Sequence, residues 1–274
     1  MQFPGRPDTT NNSFHNGAKV RNFYIFDTVK LILKKAHAYL YIFSVTLFYF
    51  LMFPLLYLFS RKQANYKYMN KLRRAWGFLS SACVGIFYRF TYEVPFDRTK
   101  PYIICPNHVS NLDISAMSVL VKSDCSFMGK EELLQGIVTG LFFRTADIPV
   151  NRESKISSYR AFKKAIEKLG QGVSIIIFPE GGIAEDYPPK LQEFKNGPFR
   201  LAIESGMPIV PVTMLNTWKV LWDTGTKYGS RPGICNIFVH KPIETAGMSL
   251  DDADVLKDKV YDTIKKKLAE NDHR

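Results

Sequence analysis

Cysteine is scarce in this chain, and it does not form the patterns of disulfide scaffolds or zinc sites. The 274 residues include four cysteines and five histidines. There is no C-x-x-C pair, and no histidine lies at a spacing from cysteine that indicates zinc. We therefore predict no disulfide framework and no metal site, which fits a reducing compartment. The cysteines are Cys83, Cys105, Cys125 and Cys235.

Two motifs of nucleotide and ester chemistry are also missing. The pair Gly181-Gly182 is too short for a glycine-rich phosphate loop, which argues against a soluble nucleotide-binding protein. No G-x-S-x-G turn is present, so a serine hydrolase would lack its usual nucleophile elbow. Ser110 and Ser115 keep that class open as an alternative.

Acidic residues are rare in the first 100 positions. This part of the chain has 15 Lys or Arg and 4 Asp or Glu, so it carries +11 of the formal net charge of +12. A basic surface binds either nucleic acid or anionic lipid. No nucleic-acid-binding motif accompanies the charge, and a long apolar run lies beside it. We therefore predict membrane lipid as the partner, and no nucleic acid.

The apolar run extends from Ala38 to Ser60 without a charged residue. A membrane-spanning helix needs about 20 apolar residues, so the run is long enough to span. Lys34-Lys35 and Arg61-Lys62 flank it on both sides, which leaves the orientation undecided, and Pro54 would kink a helix here. A spanning helix and a helix embedded in one leaflet fit equally well, and a buried helix of a soluble core is the third interpretation.

The stretch from Asn65 to Phe90 has the pattern of a second, amphipathic helix. Four basic residues cluster in its first half, and apolar residues recur at helical spacing, which is typical of a helix at a lipid interface. These are Lys67, Lys71, Arg73 and Arg74, with Met69, Leu72, Trp76 and Leu79. We predict a flexible polar tail over residues 1–22, a membrane-anchoring segment of two helices over 23–95, and an α/β domain over 96–274.

Apolar runs alternate with helical patterns beyond residue 96, which predicts a mostly parallel sheet flanked by helices. The clearest helix is Ser157–Leu169, capped by Ser157 or Ser158, and a charged helix over Leu250–Glu270 closes the chain. Ligands of parallel sheets bind beyond the carboxyl ends of the strands. The predicted strands are Tyr102–Cys105, Ile148–Val150, Val173–Phe178, Ile209–Met214 and Cys235–Val239.

His108 and Asp113 follow the first of these strands. An imidazole acts as a base near neutral pH, and a carboxylate on its other nitrogen orients it. Ser110 or Asn111 would cap a helix whose first turn carries Asp113. Arg152 and Glu180 also follow strands, so all these side chains are expected in one crevice. On spacing alone, a polar turn without chemistry is the competing interpretation.

Four blocks occur in order along the α/β part of the sequence. Asn107–Asp113 has the pattern N-H-x-x-x-x-D, and Arg152 is an arginine that follows an apolar strand. Phe178–Gly181 matches the start of F-P-E-G-T-R, and Val210–Val212 matches an apolar V-P-x run. Together the blocks resemble the glycerolipid acyltransferase superfamily, specifically the PlsC-like 1-acyl-sn-glycerol-3-phosphate acyltransferases. Lys130–Leu133 is similar to a stretch that follows the first block in this family, and the resemblance covers roughly residues 100–240.

The resemblance implies a membrane-bound O-acyltransferase with His108 as general base and Asp113 as its orienting partner. His108 would deprotonate the free hydroxyl of a lysophospholipid, which attacks the thioester of acyl-CoA or of acyl carrier protein as co-substrate. Because the thioester is already activated, no cofactor is required. We expect the enzyme on the cytoplasmic face of the inner (plasma) membrane. The implied substrate-binding residues are Asn107, Lys130, Arg152, Glu180, Gly181, Gly182 and Lys195.

The sequence departs from the family pattern at Gly182-Ile183, where Thr-Arg is usual. The arginine often assigned to the acceptor phosphate is therefore absent, and Lys195 would supply the missing charge. The alternatives are an acyltransferase for another lyso-lipid, such as a lyso-ornithine lipid or a lysophospholipid with a larger head group, or a catalytically silent lipid-binding protein.

Overall fold

A seven-stranded sheet forms the centre of the protein. The computed structural model describes residues 12–95, 97 and 99–272. Two strands have the bounds predicted from the sequence, Ile148–Val150 and Ile209–Met214. The strands are β1 (Ile86–Tyr92), β2 (Ile103–Pro106), β3 (Cys125–Lys130), β4 (Ile148–Val150), β5 (Ser174–Ile177), β6 (Ile209–Met214) and β7 (Gly233–Val239).

The strands lie in the order β1-β7-β6-β2-β5-β3-β4. Strands β2 to β6 are parallel to one another, whereas β7 pairs antiparallel with β6 and parallel with β1. The central strands β2, β5 and β6 are buried along their whole length. This burial on both faces explains why they read as continuous apolar runs. The predicted α/β fold with a mostly parallel sheet is confirmed.

Two strands, β1 and β3, were not predicted. β1 begins within the stretch that we assigned to a helix over Asn65–Phe90 and ends two residues beyond it. Its burial alternates, as in an edge strand. Because β1 pairs with β7 over seven residues, the sheet begins before the predicted domain boundary at residue 95. β3 ends in the pair Gly129-Lys130, so its sequence is not a continuous apolar run.

Helices cover both faces of the sheet. The first begins at Asn12, so positions 12–22 of the predicted tail are helical, while residues 1–11 lie outside the described residues. The predicted helix at Ser157 starts earlier, where Ser154 Oγ accepts from the Ser157 amide. The helices are α1 (Asn12–Ser60), α2 (Tyr66–Ala82), α3 (Leu112–Leu120), α4 (Thr139–Arg144), α5 (Lys155–Gly170), α6 (Gly197–Ser205), α7 (Thr217–Val220) and α8 (Ala253–Asp272).

α1 crosses the sheet from one edge to the other. At the β1–β7 edge, His37 Nε2 lies 2.9 Å from the carbonyl oxygen of Val84, and the Ser230 amide donates to the Lys34 carbonyl. Towards the β4 edge, Leu56 is buried in a cluster with Ala146. The 22-residue separation of Lys34 and Leu56 corresponds to roughly 33 Å of helix. Seven strands are about 29 Å wide.

α2 folds back along α1. A buried ion pair between α2 and the segment before β4 joins these two helices to the sheet. Arg73 Nη1 lies 2.9 and 2.8 Å from the two carboxylate oxygens of Asp147, which precedes β4. Arg73 Nη2 donates to Asn70 Oδ1 and to the carbonyl of Cys125 on β3. Both members of the pair are at least 95% buried. The pair therefore satisfies its charges within the protein and binds the N-terminal helices to the domain.

We expect Arg73→Met to lower the free energy of unfolding by about 3–5 kcal/mol, because it leaves the Asp147 charge buried without a counterion. Lys71→Met, on an exposed position of the same helix, should change it by less than about 0.5 kcal/mol. Urea denaturation followed by circular dichroism measures both values. Equal losses in the two variants would contradict a stabilising role of the pair.

Candidate active site

The loop between β2 and α3 holds a histidine against a buried aspartate. His108 Nδ1 lies 3.0 Å from Asp113 Oδ2. The same oxygen accepts from the backbone amides of Val109 at 2.7 Å and Ser110 at 2.8 Å. Asp113 is completely buried, and His108 retains some exposure. Asn111 occupies the predicted N-cap position of α3 without a side-chain bond, and Ser110 Oγ accepts from the Leu112 amide at 3.0 Å.

Residues after β5 hold His108 from the other side. The ring of Phe178 stacks on the imidazole with a centroid distance of 4.0 Å. Glu180 Oε1 accepts from the His108 backbone amide at 2.7 Å, and Oε2 accepts from the Gln192 amide at 2.9 Å. Three contacts thus fix His108: the Phe178 ring on its imidazole, the Asp113 carboxylate on Nδ1, and the Glu180 carboxylate on its backbone amide. No protein group of the described chain bonds to its Nε2.

Burial raises the pKa of Glu180 to about 7, although the two backbone bonds oppose this change. Asp113 adds to the increase through repulsion between the two carboxylates. Glu180 is 5% exposed, so its charge is poorly solvated. Its carboxyl group therefore titrates near neutral pH beside the histidine.

A cavity of about 680 Å³ opens beside His108. Lys130, at the end of β3, and Arg152, two residues after β4, line it together with Gly181 and Gly182. From there the cavity continues between α1, α2, α3 and α4, where its wall is mostly apolar. This wall includes Tyr41, Val45, Trp76, Ile114, Phe142 and Phe143.

Arg152 and the glycine after Glu180 depend on each other. Arg152 Nη1 donates to the Gly181 carbonyl at 3.0 Å. Gly181 has a φ of +87°, and a side chain there would collide with the guanidinium. Only glycine fits both conditions. Within the described chain, no carboxylate forms a salt bridge with Arg152 or Lys130, so both cations remain available to an anionic ligand.

The central part of the chain is similar in sequence to known proteins. Residues 88–215 match the family model described as Acyltransferase. This match spans slightly less than half of the chain. The chain is 29% identical over 167 residues to 1-acyl-sn-glycerol-3-phosphate acyltransferase alpha of Mus musculus, and the matched region covers 60% of this chain and 58% of that protein. It is 29% identical over 189 residues to the 1-acyl-sn-glycerol-3-phosphate acyltransferase of Haemophilus influenzae, covering 66% and 75%.

A solved structure has the same fold as this protein. It is the 1-acyl-sn-glycerophosphate acyltransferase PlsC of Thermotoga maritima, with a TM-score of 0.71 and 23% sequence identity. The match covers 90% of this chain and 98% of that one. The likeness therefore includes the N-terminal helices as well as the sheet.

The structure brings most of the predicted site residues together, but three have other surroundings. Asn107 is fully buried, and its Oδ1 accepts from the Met214 amide at 2.7 Å, so it joins β2 to β6 instead of facing a substrate. Both oxygens of Glu180 bind backbone amides, so it positions His108. Lys195 is exposed and does not line the cavity, which removes the predicted replacement for the missing arginine.

Sequence reasoning missed several groups of the site. Phe178 was identified as part of a motif, yet its stacking on His108 follows only from the position of β5 beside β2. Gln192, whose amide binds Glu180, lies in a loop with no signal in the sequence. Arg73 and Asp147 also line the cavity. They are 74 positions apart in the sequence, so no local pattern predicts that they form a pair. In the described part of the chain, no three His, Cys, Asp or Glu side chains lie together as metal ligands would.

We expect Glu180→Gln to change how stability depends on pH. Because folding raises the pKa of Glu180 from 4.5 to about 7, the stabilisation from its bound proton is present below pH 4.5 and is lost as the pH rises to 7. The loss amounts to roughly 3 kcal/mol. The variant has no titrating group at this position. Its unfolding free energy minus that of the wild type should therefore increase between about pH 4.5 and 7.5. Urea denaturation across this range measures it.

The control is Glu193→Gln, which replaces an exposed carboxylate of the same loop. Its unfolding free energy should follow the wild-type pH dependence. If Glu180→Gln also runs parallel to the wild type, Glu180 does not titrate in this range.

Proposed function

We propose that this protein transfers a fatty acyl group from a thioester donor to the free hydroxyl of 1-acyl-glycerol-3-phosphate, which gives phosphatidic acid. The observation that carries the proposal is the His108–Asp113 pair at 3.0 Å in the wall of a cavity that also contains two unpaired cations. The names of the curated relatives support this acceptor. The match to the mouse protein covers 58% of that protein, so the activity of this chain is argued from its own site.

His108 acts as the general base. With Asp113 on Nδ1, Nε2 is the nitrogen that accepts the hydroxyl proton, and the Asp113 carboxylate stabilises the imidazolium that results. The alkoxide attacks the thioester carbonyl, the carbon–sulfur bond breaks, and the leaving thiolate takes the proton from Nε2. A positioned base of this kind contributes a rate factor of about 10²–10⁴. The remaining acceleration comes from orientation of the two substrates and from stabilisation of the oxyanion.

Lys130 and Arg152 bind the phosphate of the acceptor. They line the same cavity as His108, and the Arg152 guanidinium is already oriented by its bond to Gly181. A guanidinium donates two parallel hydrogen bonds to a phosphate, whereas an ammonium acts as a point charge. The acyl chains occupy the apolar part of the cavity, against α1 and α2.

Ile183 supports a second candidate acceptor. It lines the cavity at the position where the family pattern has an arginine, and Lys195 does not replace that charge. A lyso-lipid with a larger or less acidic head group, such as a lyso-ornithine lipid, would require fewer cations there. The donor is acyl-CoA or acyl carrier protein, and neither requires a cofactor.

The N-terminal helix supports membrane association through one leaflet. By length and composition, Asp27–Ser60 would suffice to cross a membrane. Its inner face, however, packs on the α/β domain from Lys34 to Leu56, and its outer face exposes Phe43, Leu47 and Phe50. Crossing the bilayer would draw the charged domain into hydrocarbon, at a large cost in free energy. A helix lying in one leaflet buries the outer face and keeps the domain in water. We place this contact at the cytoplasmic face of the inner (plasma) membrane.

His108→Ala should lower kcat for acyl transfer by at least about 100-fold without unfolding the protein, since it removes the base. Asp113→Asn should lower kcat with little change in KM, because the imidazole loses its orienting charge. The assay incubates purified protein with acyl-CoA and a panel of lyso-lipids and identifies products by mass spectrometry.

Ser115→Ala is the matched control, because Ser115 also lines the cavity. It should retain turnover, and loss of activity there would favour a serine nucleophile over a base. Near-normal turnover of His108→Ala would contradict the mechanism. Preference for a lyso-lipid other than 1-acyl-glycerol-3-phosphate would select the second candidate acceptor.

Replacing Phe43, Leu47 and Phe50 together by Gln should weaken binding to phosphatidylcholine vesicles by about 100-fold or more, because three exposed apolar side chains no longer enter lipid. Vesicle co-sedimentation measures the change. Ile156→Gln with Val255→Gln removes apolar side chains that are equally exposed on the α/β domain, and should have no effect. Unchanged binding of the triple variant would exclude α1 as the membrane contact.

A further inference from the structure

A second, smaller cavity lies at the turn between α1 and α2. Its volume is about 270 Å³, and the protein separates it from the active-site cavity. Asn70 and Cys125 line the smaller cavity. Arg73, which donates to both, lines the larger one together with Asp147. The catalytic mechanism uses none of the residues of this smaller cavity.

Lys168, near the end of α5, lines this cavity as a buried charge. It is 7% exposed, and its ammonium lies 5.7 Å from the centroid of the Tyr66 ring. Among the described residues, this ammonium has neither a hydrogen bond nor a salt bridge. An aromatic face compensates a mostly buried ammonium only weakly, so an anion in the cavity would stabilise it. Burial lowers the pKa of Lys168, and the nearby charge of Lys164 lowers it further.

Lys67 provides a second cation, and Asp124 is the acidic residue that shares the wall. The amides nearby are already used by the protein. The Gln63 side chain donates to Gln171, and the Asn70 side chain donates to Cys125 and accepts from Arg73. Two ammonium groups face one carboxylate in the wall, so the cavity carries a net positive charge, which favours a compact anion over a neutral molecule.

The location of the cavity adds a reason for phosphate. The turn follows Ser60, where the apolar stretch of α1 ends, and Arg61 and Lys62 are exposed beside it. If α1 lies in one leaflet, as proposed above, the turn meets the layer of lipid phosphates. Phosphate in solution has the same chemistry and reaches the same cavity.

We propose that this cavity binds a phosphate group between Lys168 and Lys67, at a site distinct from the acceptor phosphate of the reaction. The group belongs either to an anionic lipid head group or to free phosphate. An anion there would pair the buried ammonium of Lys168. It would also bind α5 to the turn that carries α1 and α2.

The test compares Lys168→Met with Lys163→Met in the full chain, both in an Arg152→Gln background that weakens phosphate binding at the active site. Lys163 is exposed on the same helix, so the two variants have equal charge. Inorganic phosphate should raise the Tm of the background protein and of Lys163→Met, and not of Lys168→Met. Vesicles of phosphatidylcholine with phosphatidic acid should bind Lys168→Met about tenfold more weakly than Lys163→Met. Pure phosphatidylcholine vesicles should bind both equally.

The two arms identify the source of the phosphate. An effect on vesicles alone indicates a lipid head group, and an effect of soluble phosphate alone indicates the free ion. Equal behaviour of Lys168→Met and Lys163→Met in both arms overturns the proposal. If Lys168→Met does not fold, Lys67→Met is measured by the same criteria. Every readout is binding, so an absence of acyl transfer would not affect the result.

Discussion

Two buried carboxylates hold the loop between β2 and α3 from opposite sides, and the geometry of the site depends on them. Asp113 binds the His108 ring and the two amides that follow it, while Glu180 binds the amide of His108 itself. Both carboxylates are buried, so loss of either leaves its donors without an acceptor, at about 1–3 kcal/mol for each donor that is buried. The backbone therefore sets the position of the imidazole before a ligand arrives.

The N-terminal helices connect this site to the proposed membrane contact. α1 crosses the full width of the sheet, and its inner face forms part of the cavity wall beside His108. The Arg73–Asp147 pair holds α2 in place beneath the apolar part of the cavity. The same two helices thus present apolar side chains outwards to lipid and line the space proposed for the acyl chains. An acyl chain entering from one leaflet would reach the base without crossing water.

Much of the fold and of the site was predictable, for physical reasons that differ between residues. Buried central strands such as β6 have apolar residues throughout, so their patterns were clear. β1, at the sheet edge, has alternating burial next to an amphipathic helix, and its pattern was read as part of that helix. Asn107 was correctly placed at a strand end, yet its side chain binds Met214 on a neighbouring strand. Pairing partners 107 positions apart leave no local signal.

The sequence by itself determined the α/β alternation, the long apolar helix and the five-residue spacing of His108 and Asp113, because each depends on neighbouring residues in the chain. Only the tertiary structure decided that Glu180 holds the histidine backbone, that Lys195 lies away from the cavity and that α1 runs along the sheet. Those features depend on the order of strands and on which helix face is covered. Hydrogen bonding and packing across the sheet set both, and local sequence does not encode them.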